Sequence, residues 1–142
     1  MATVVHPQQT LQQRIVAGII GGLAGGVIFG IMMAAMGMMP MIAMLIGSES
    51  VLVGWVIHFL ISAFIGATFG VLLGGTSTNV VRGLGWGLAY GALWWVLGPL
   101  LIMPALMGMP LLMIDGMTLM SLVGHLIYGA ILGVVYVWYA QR

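Results

Sequence analysis

The chain has 142 residues, of which 63% are hydrophobic and 4% charged, with a mean hydropathy of +1.25. Soluble globular domains carry about a quarter charged residues, so this composition excludes that class and points to an integral membrane protein. Arg14, Arg82 and Arg142 against Glu49 and Asp115 give a net charge of +1, too little for a nucleic-acid surface, and zero cysteines exclude disulfides, thiolate metal sites and a cysteine nucleophile.

Residues 1–13 are polar and uncharged apart from His6, lack the basic n-region of a signal peptide, and read as a short tail with a solvated histidine. From residue 14 to 142 the chain reads as one membrane domain. A helix crossing a ~30 Å hydrocarbon core needs about 20 apolar residues, and four stretches reach that length: Ile15 to Met39, Val51 to Leu73, Gly83 to Met103, and Met117 to Tyr139. The expected fold is therefore all-α, a four-helix transmembrane bundle.

Span one carries Gly18, Gly22, Gly26, Gly30 and Ala34 at four-residue steps, a small-residue ridge that lets another helix backbone come close. Its outer end is rich in methionine, and Met32 and Met36 have the i,i+4 spacing that could present two soft thioethers to a metal ion such as Cu(I). The plainer role of methionine is flexible apolar filling at irregular helix ends. Pro40 breaks the span, and the segment to Ile46 stays apolar, as if folded back along or into the membrane under protein cover. Gly47-Ser48-Glu49-Ser50 leads into span two, where His58, Ser62, Gly66 and Gly70 form one small face. After Gly74 to Asn79 and Arg82, span three repeats the ridge with Gly83, Gly87 and Gly91, and its end repeats the methionine pattern with Met103 and Met107. Pro99 lies inside span three, and Pro104 and Pro110 punctuate the apolar stretch 104–116 that ends at Asp115 and Gly116. Span four carries His125, Gly129 and Gly133 at the same spacing as His58, Ser62 and Gly66.

That correspondence extends without a gap from Gly54–Gly66 over Ser121–Gly133, and it predicts two helical hairpins, 14–75 and 82–142, repeated in parallel orientation. Four crossings put all three arginines on one face and both acids on the other, so short-loop arginine places both termini in the cytoplasm. The expected location is a bacterial plasma membrane.

His58 and His125 each lie about 8 residues into a span, a depth of ~12 Å, and buried polar groups in a bilayer usually face a partner or a cavity. Three readings stand open. The imidazoles hydrogen-bond a backbone carbonyl, Ser62 or Thr68 of a neighbouring helix as packing glue; both ligate a haem iron across the bundle, or one ligates a chlorophyll magnesium; or they serve a proton or metal-ion transport path. The first requires no cofactor.

Arg82-Gly-Leu-Gly-Trp-Gly-Leu-Ala-Tyr-Gly-Ala, Pro99, Met107-Gly108-Met109-Pro110 and Gly124-His125-Leu-Ile-Tyr-Gly129, with His58-Phe-Leu-Ile-Ser62-Ala-Phe-Ile-Gly66, resemble the YagU-like bacterial inner-membrane proteins. The resemblance covers about two thirds of the chain, which has no long loop of the kind those proteins carry between their first two spans. It implies a small multi-span bundle with a link to acid resistance, and places both histidines at matching positions without assigning them chemistry. Because the only two acids lie in separate loops, no hydrolytic triad or carboxylate pair can be assembled, and an enzyme is not expected. The expected role is an accessory subunit packed among other membrane subunits, of the respiratory or photosynthetic electron-transport type. A small transporter or channel for protons, metal ions or a small solute, and a carrier of histidine-ligated haem or chlorophyll, are the alternatives.

Overall fold

The computed structural model describes residues 9–142, so most of the expected tail, His6 included, lies outside the described residues. Four long helices form the body: α1 (Leu11–Ala35), α3 (Val51–Leu73), α4 (Val80–Leu97) and α6 (Gly116–Ala140). Two short helices decorate one end, α2 (Met39–Ala43) after α1 and α5 (Met103–Met107) after α4, and no strand occurs among the described residues. Counting the continuous stretch Val80–Met107 as one, four helices are long and apolar enough to cross a bilayer. This is a multi-pass, membrane-embedded helical bundle.

Each long helix opens on a polar residue whose side chain accepts from a backbone N–H of the first turn: Thr10, Ser50, Asn79 and Asp115. At Thr10 and Asp115 the side chains of the third helical residues, Gln13 and Thr118, accept in turn from the cap backbone N–H and complete a capping box. The Thr10 box corrects the first boundary. Helix starts at Leu11, inside the expected 1–13 tail, because the box satisfies the end N–H groups and Gln13 and Arg14 are good helix formers. The other end differs too. The expected span ran to Met39, but α1 stops at Ala35, where Gly37 takes φ +68 and its N–H closes on Ala34 O while Met38 N–H closes on Met33 O. Met39 and Pro40 belong to α2 instead.

Span three is longer than Gly83 to Met103. Asn79 caps it early, and at Pro99 the chain continues through one π-helical turn, Gly98–Ile102, into α5. Proline cannot donate to the carbonyl four residues back, and a wider turn lets the helix pass it.

Helix α1 packs on α3, α4 packs on α6, and α1 and α6 join the two hairpins. In each hairpin the close contact is backbone on backbone. A methyl group at Gly18 would strike the Gly66 carbonyl, and one at Gly66 the Gly18 carbonyl; Gly83 and Gly133, and Gly87 and Gly129, oppose each other in the same reciprocal way. Between hairpins, a Cβ at Gly21 would lie 2.7 Å from Leu132 O and one at Gly25 2.7 Å from Tyr128 O. Lipid tails offer no hydrophobic drive between helices, so this closeness, with its dispersion and Cα–H···O contacts, is what holds them together. Helices α3 and α4 stand further apart and meet through rings, Phe69 against Tyr90 at 5.4 Å and Phe64 against Trp94 at 6.3 Å. Large aliphatic side chains such as Leu60, Leu72 and Val81 point outward, while glycine, serine, histidine and tyrosine fill the interior, the distribution expected of a body solvated by lipid.

Candidate functional site

The histidines come together around a residue that the sequence pattern did not single out. Phe29, the one aromatic of α1, stands edge-on to both imidazoles, its ring centroid 5.8 Å from that of His58 and 4.8 Å from that of His125. His58, buried on α3, places Nε2 2.8 Å from the Gly26 carbonyl of α1. That carbonyl is reachable because Gly26 and Gly30 carry no side chain; a Cβ at Gly26 would sit 2.6 Å from Ser62 Oγ and one at Gly30 3.1 Å from His58 Cδ2. His125 turns the other way. Its Nδ1 lies 2.8 Å from Ser121 O and 3.3 Å from Ser121 Oγ, one turn back on its own helix.

Ser62 is buried too, but neither histidine uses it. Its carbonyl accepts from the Tyr128 hydroxyl at 2.8 Å, which ties α6 to α3. Thr68 likewise stays off the histidines, its hydroxyl bonding Phe64 O and Ile65 O on its own helix and meeting Tyr90 Oη at 2.6 Å. His58 thus meets a backbone carbonyl of a neighbouring helix, while the partner of His125 lies on its own helix. Phe29, Ser121 and Tyr128 escaped the sequence reading. Ser121 stands one turn before His125, which was the available signal; nothing in the spacing of one helix tells which ring of another will wedge between two of its neighbours.

The glycine ridges beside the pair are closed by facing backbone: Gly91 on His125 O, Gly87 on Gly129, Gly22 on Ser62 O and Gly70 on Arg14 O.

The arginine end is built from carbonyls. Arg14 Nε donates to Gly70 O at 3.0 Å and its Nη2 to Val71 O at 2.6 Å, a cation on the unsatisfied carbonyls at the C-terminus of α3. Arg82 reaches Thr78 Oγ1 at 3.4 Å and Arg142 lies 3.5 Å over the Trp138 ring. Gln9 adds a hydrogen bond to Ala140 O, and Tyr136 Oη donates to Gln9. Glu49 and Asp115 occupy the opposite end, at the starts of α3 and α6. The N–H of Thr118 on its carboxylate holds the Asp115 pKa below the ordinary value.

Each methionine pair spans one helical turn. Met32 lies in the last turns of α1 and Met36 is its C-cap, with the Met36 N–H on Met32 O at 3.1 Å. Met103 and Met107 bracket the five-residue α5. The two apolar segments also part company. Residues 39–43 fold back under α3, with Met39 and Ala43 buried and the Met39 carbonyl against Gly54. Residues 105–115 stay uncovered, Leu106, Leu111, Leu112 and Ile114 being 69%, 52%, 60% and 62% exposed. Within that stretch Leu112 adopts φ +57, unusual for a side-chain-bearing residue, and its N–H is held by Leu100 O at 2.9 Å.

Comparison with protein-family models, with curated proteins and with solved structures finds no match to this chain.

Proposed function

We propose that the protein is a small, non-catalytic accessory subunit of a larger membrane assembly, and that it docks through the outer end formed by α5, residues 108–115 and the first turn of α6. The exposed apolar side chains of that end carry the reading. Lipid cannot satisfy the irregular backbone there, water disfavours Leu106, Leu111, Leu112 and Ile114, and a protein neighbour answers both needs. The corresponding stretch after α1 finds its cover within the chain, on α3. The interior supports a structural role: ridges close on backbone, and the imidazole nitrogens His58 Nε2 and His125 Nδ1 bond carbonyls rather than lining a passage.

In this reading the hairpins 14–75 and 82–142 are two copies of one unit. The support is their shared register, Gly18 on Gly66 and Gly22 on Ser62 in the first, Gly83 on Gly133 and Gly87 on Gly129 in the second. The arginine end faces the cytoplasm of a bacterial inner membrane, as short-loop arginine favours. A place among the YagU-like proteins accords with the bundle and rests on the motifs quoted above.

The test is photocrosslinking in native membranes from single positions. A crosslinker at Leu106 or Leu111 is expected to capture a discrete protein band, and one at Leu60, on the lipid face of α3, to capture none. Equal, protein-free labelling at all three would overturn the docking end.

A further inference from the structure

The outer end contains a cleft of about 200 Å³ between the proline-broken end of span three and the start of α6. Its walls include Pro99, Pro104 and Pro110, the half-exposed Met109 and Met113, and Asp115. We propose that this cleft binds one soft monovalent metal ion, Cu(I) or its redox-inert analogue Ag(I), with Met109 and Met113 as sulfur donors and the Asp115 carboxylate as the third ligand.

The backbone explains how the donors meet. Pro104 has no N–H to offer the Leu100 carbonyl four residues back, and that carbonyl accepts from Leu112 N–H at 2.9 Å. The bond pins the loop to the π-turn and holds Leu112 in the left-handed region, which a side-chain-bearing residue seldom adopts. Strain of this kind persists where the surroundings over-determine it, and here it brings Met113 back to the cleft that Met109 already lines. Met109 N–H is itself held by Pro104 O at 2.8 Å, so both arms of the loop are anchored to the same helix end.

The donor set favours a particular ion. Thioethers are neutral and soft, select Cu(I) and Ag(I), and are poor ligands for Zn²⁺ or Mg²⁺. Two of them leave the ion's charge unbalanced in an apolar wall, and one of only two carboxylates in the whole chain stands in that wall. The Asp115 carboxylate is held in place by the Thr118 N–H, which donates to Oδ1 at 2.8 Å. Three prolines stiffen the walls, which lowers the ordering cost of binding. The ligands are distinct from Met32, Met36, Met103 and Met107, and the site does not depend on whether a partner covers the outer end.

The experiment uses the full chain in detergent, with Cu(I) kept reduced and anaerobic, titrated against a chromogenic Cu(I) chelator, and Ag(I) as a second probe. One equivalent of either ion is expected to bind. Met109→Leu with Met113→Leu, which keeps the apolar volume, is expected to weaken binding by at least about tenfold, Asp115→Asn, which keeps a good helix cap, to weaken it measurably, and Met32→Leu with Met36→Leu to leave it unchanged. X-ray absorption on the wild-type protein is expected to show sulfur and oxygen around bound Cu(I). No stoichiometric binding, binding that survives loss of both methionines, or a first shell of nitrogen alone would each overturn the site.

Discussion

At the scale of single residues, the glycines divide by what faces them. Gly87 has the Gly129 carbonyl against it, whereas a Cβ at Gly85, two residues away, meets nothing within 4 Å. Gly87→Leu is therefore expected to lower the melting temperature in detergent sharply, since overpacking costs about 1–3 kcal/mol and here the obstacle is backbone that cannot rotate aside. Gly85→Leu is expected to change it little, and equal effects would remove the ridge argument. Phe29 is the second residue of consequence. Phe29→Ala is expected to destabilise the fold by about 3–5 kcal/mol, the cost of a large aromatic deletion, and to bring both imidazoles into faster exchange with water, read by histidine NMR. At Asp115 the sign follows from its lowered pKa: the cap's contribution is fully present above the ordinary carboxylate value and is lost as pH falls through the lower folded value. Asp115→Asn is expected to flatten that acid limb of the stability profile while keeping α6 capped. An unchanged acid limb would show that other groups set it.

At the scale of elements, the apolar middles of the spans were legible from hydropathy alone, and Val51–Leu73 coincides with α3 residue for residue. The ends were less so. Residues 11–13 read as tail, yet the Thr10 box makes them helix; Met36 to Met39 read as span, yet Gly37 turns the chain among them. Local capping chemistry decided both, and a hydropathy window averages it away. The fate of the proline-broken segments was not legible either, because 39–46 and 104–115 look alike in composition and differ only in which surface lies within reach. Pro104→Ala tests the account of the second segment. Restoring an N–H beneath Leu100 O gives that carbonyl a local donor in competition with Leu112. Faster hydrogen exchange at the Leu112 amide is expected, and unchanged exchange would mean that the loop is held by other contacts.

At the scale of the whole molecule, the bundle has closed ridges inside, lipid-facing aliphatic walls and one end whose apolar groups lack cover. The joint placing of His58 and His125 was readable in outline from their common depth and shared glycine face. Their separation by Phe29 was not, since the register between helices is a property of the assembled bundle. The arginine end, where Arg14 clasps the last carbonyls of α3, couples charge placement to helix termination, so orientation and packing reinforce each other. The most direct test of the accessory-subunit account is the mass of the particle that carries this protein when native membranes are dissolved in mild detergent. A complex far larger than a small homo-oligomer, with other chains in fixed ratio, is the expected result; a lone small oligomer without co-purifying protein would contradict it.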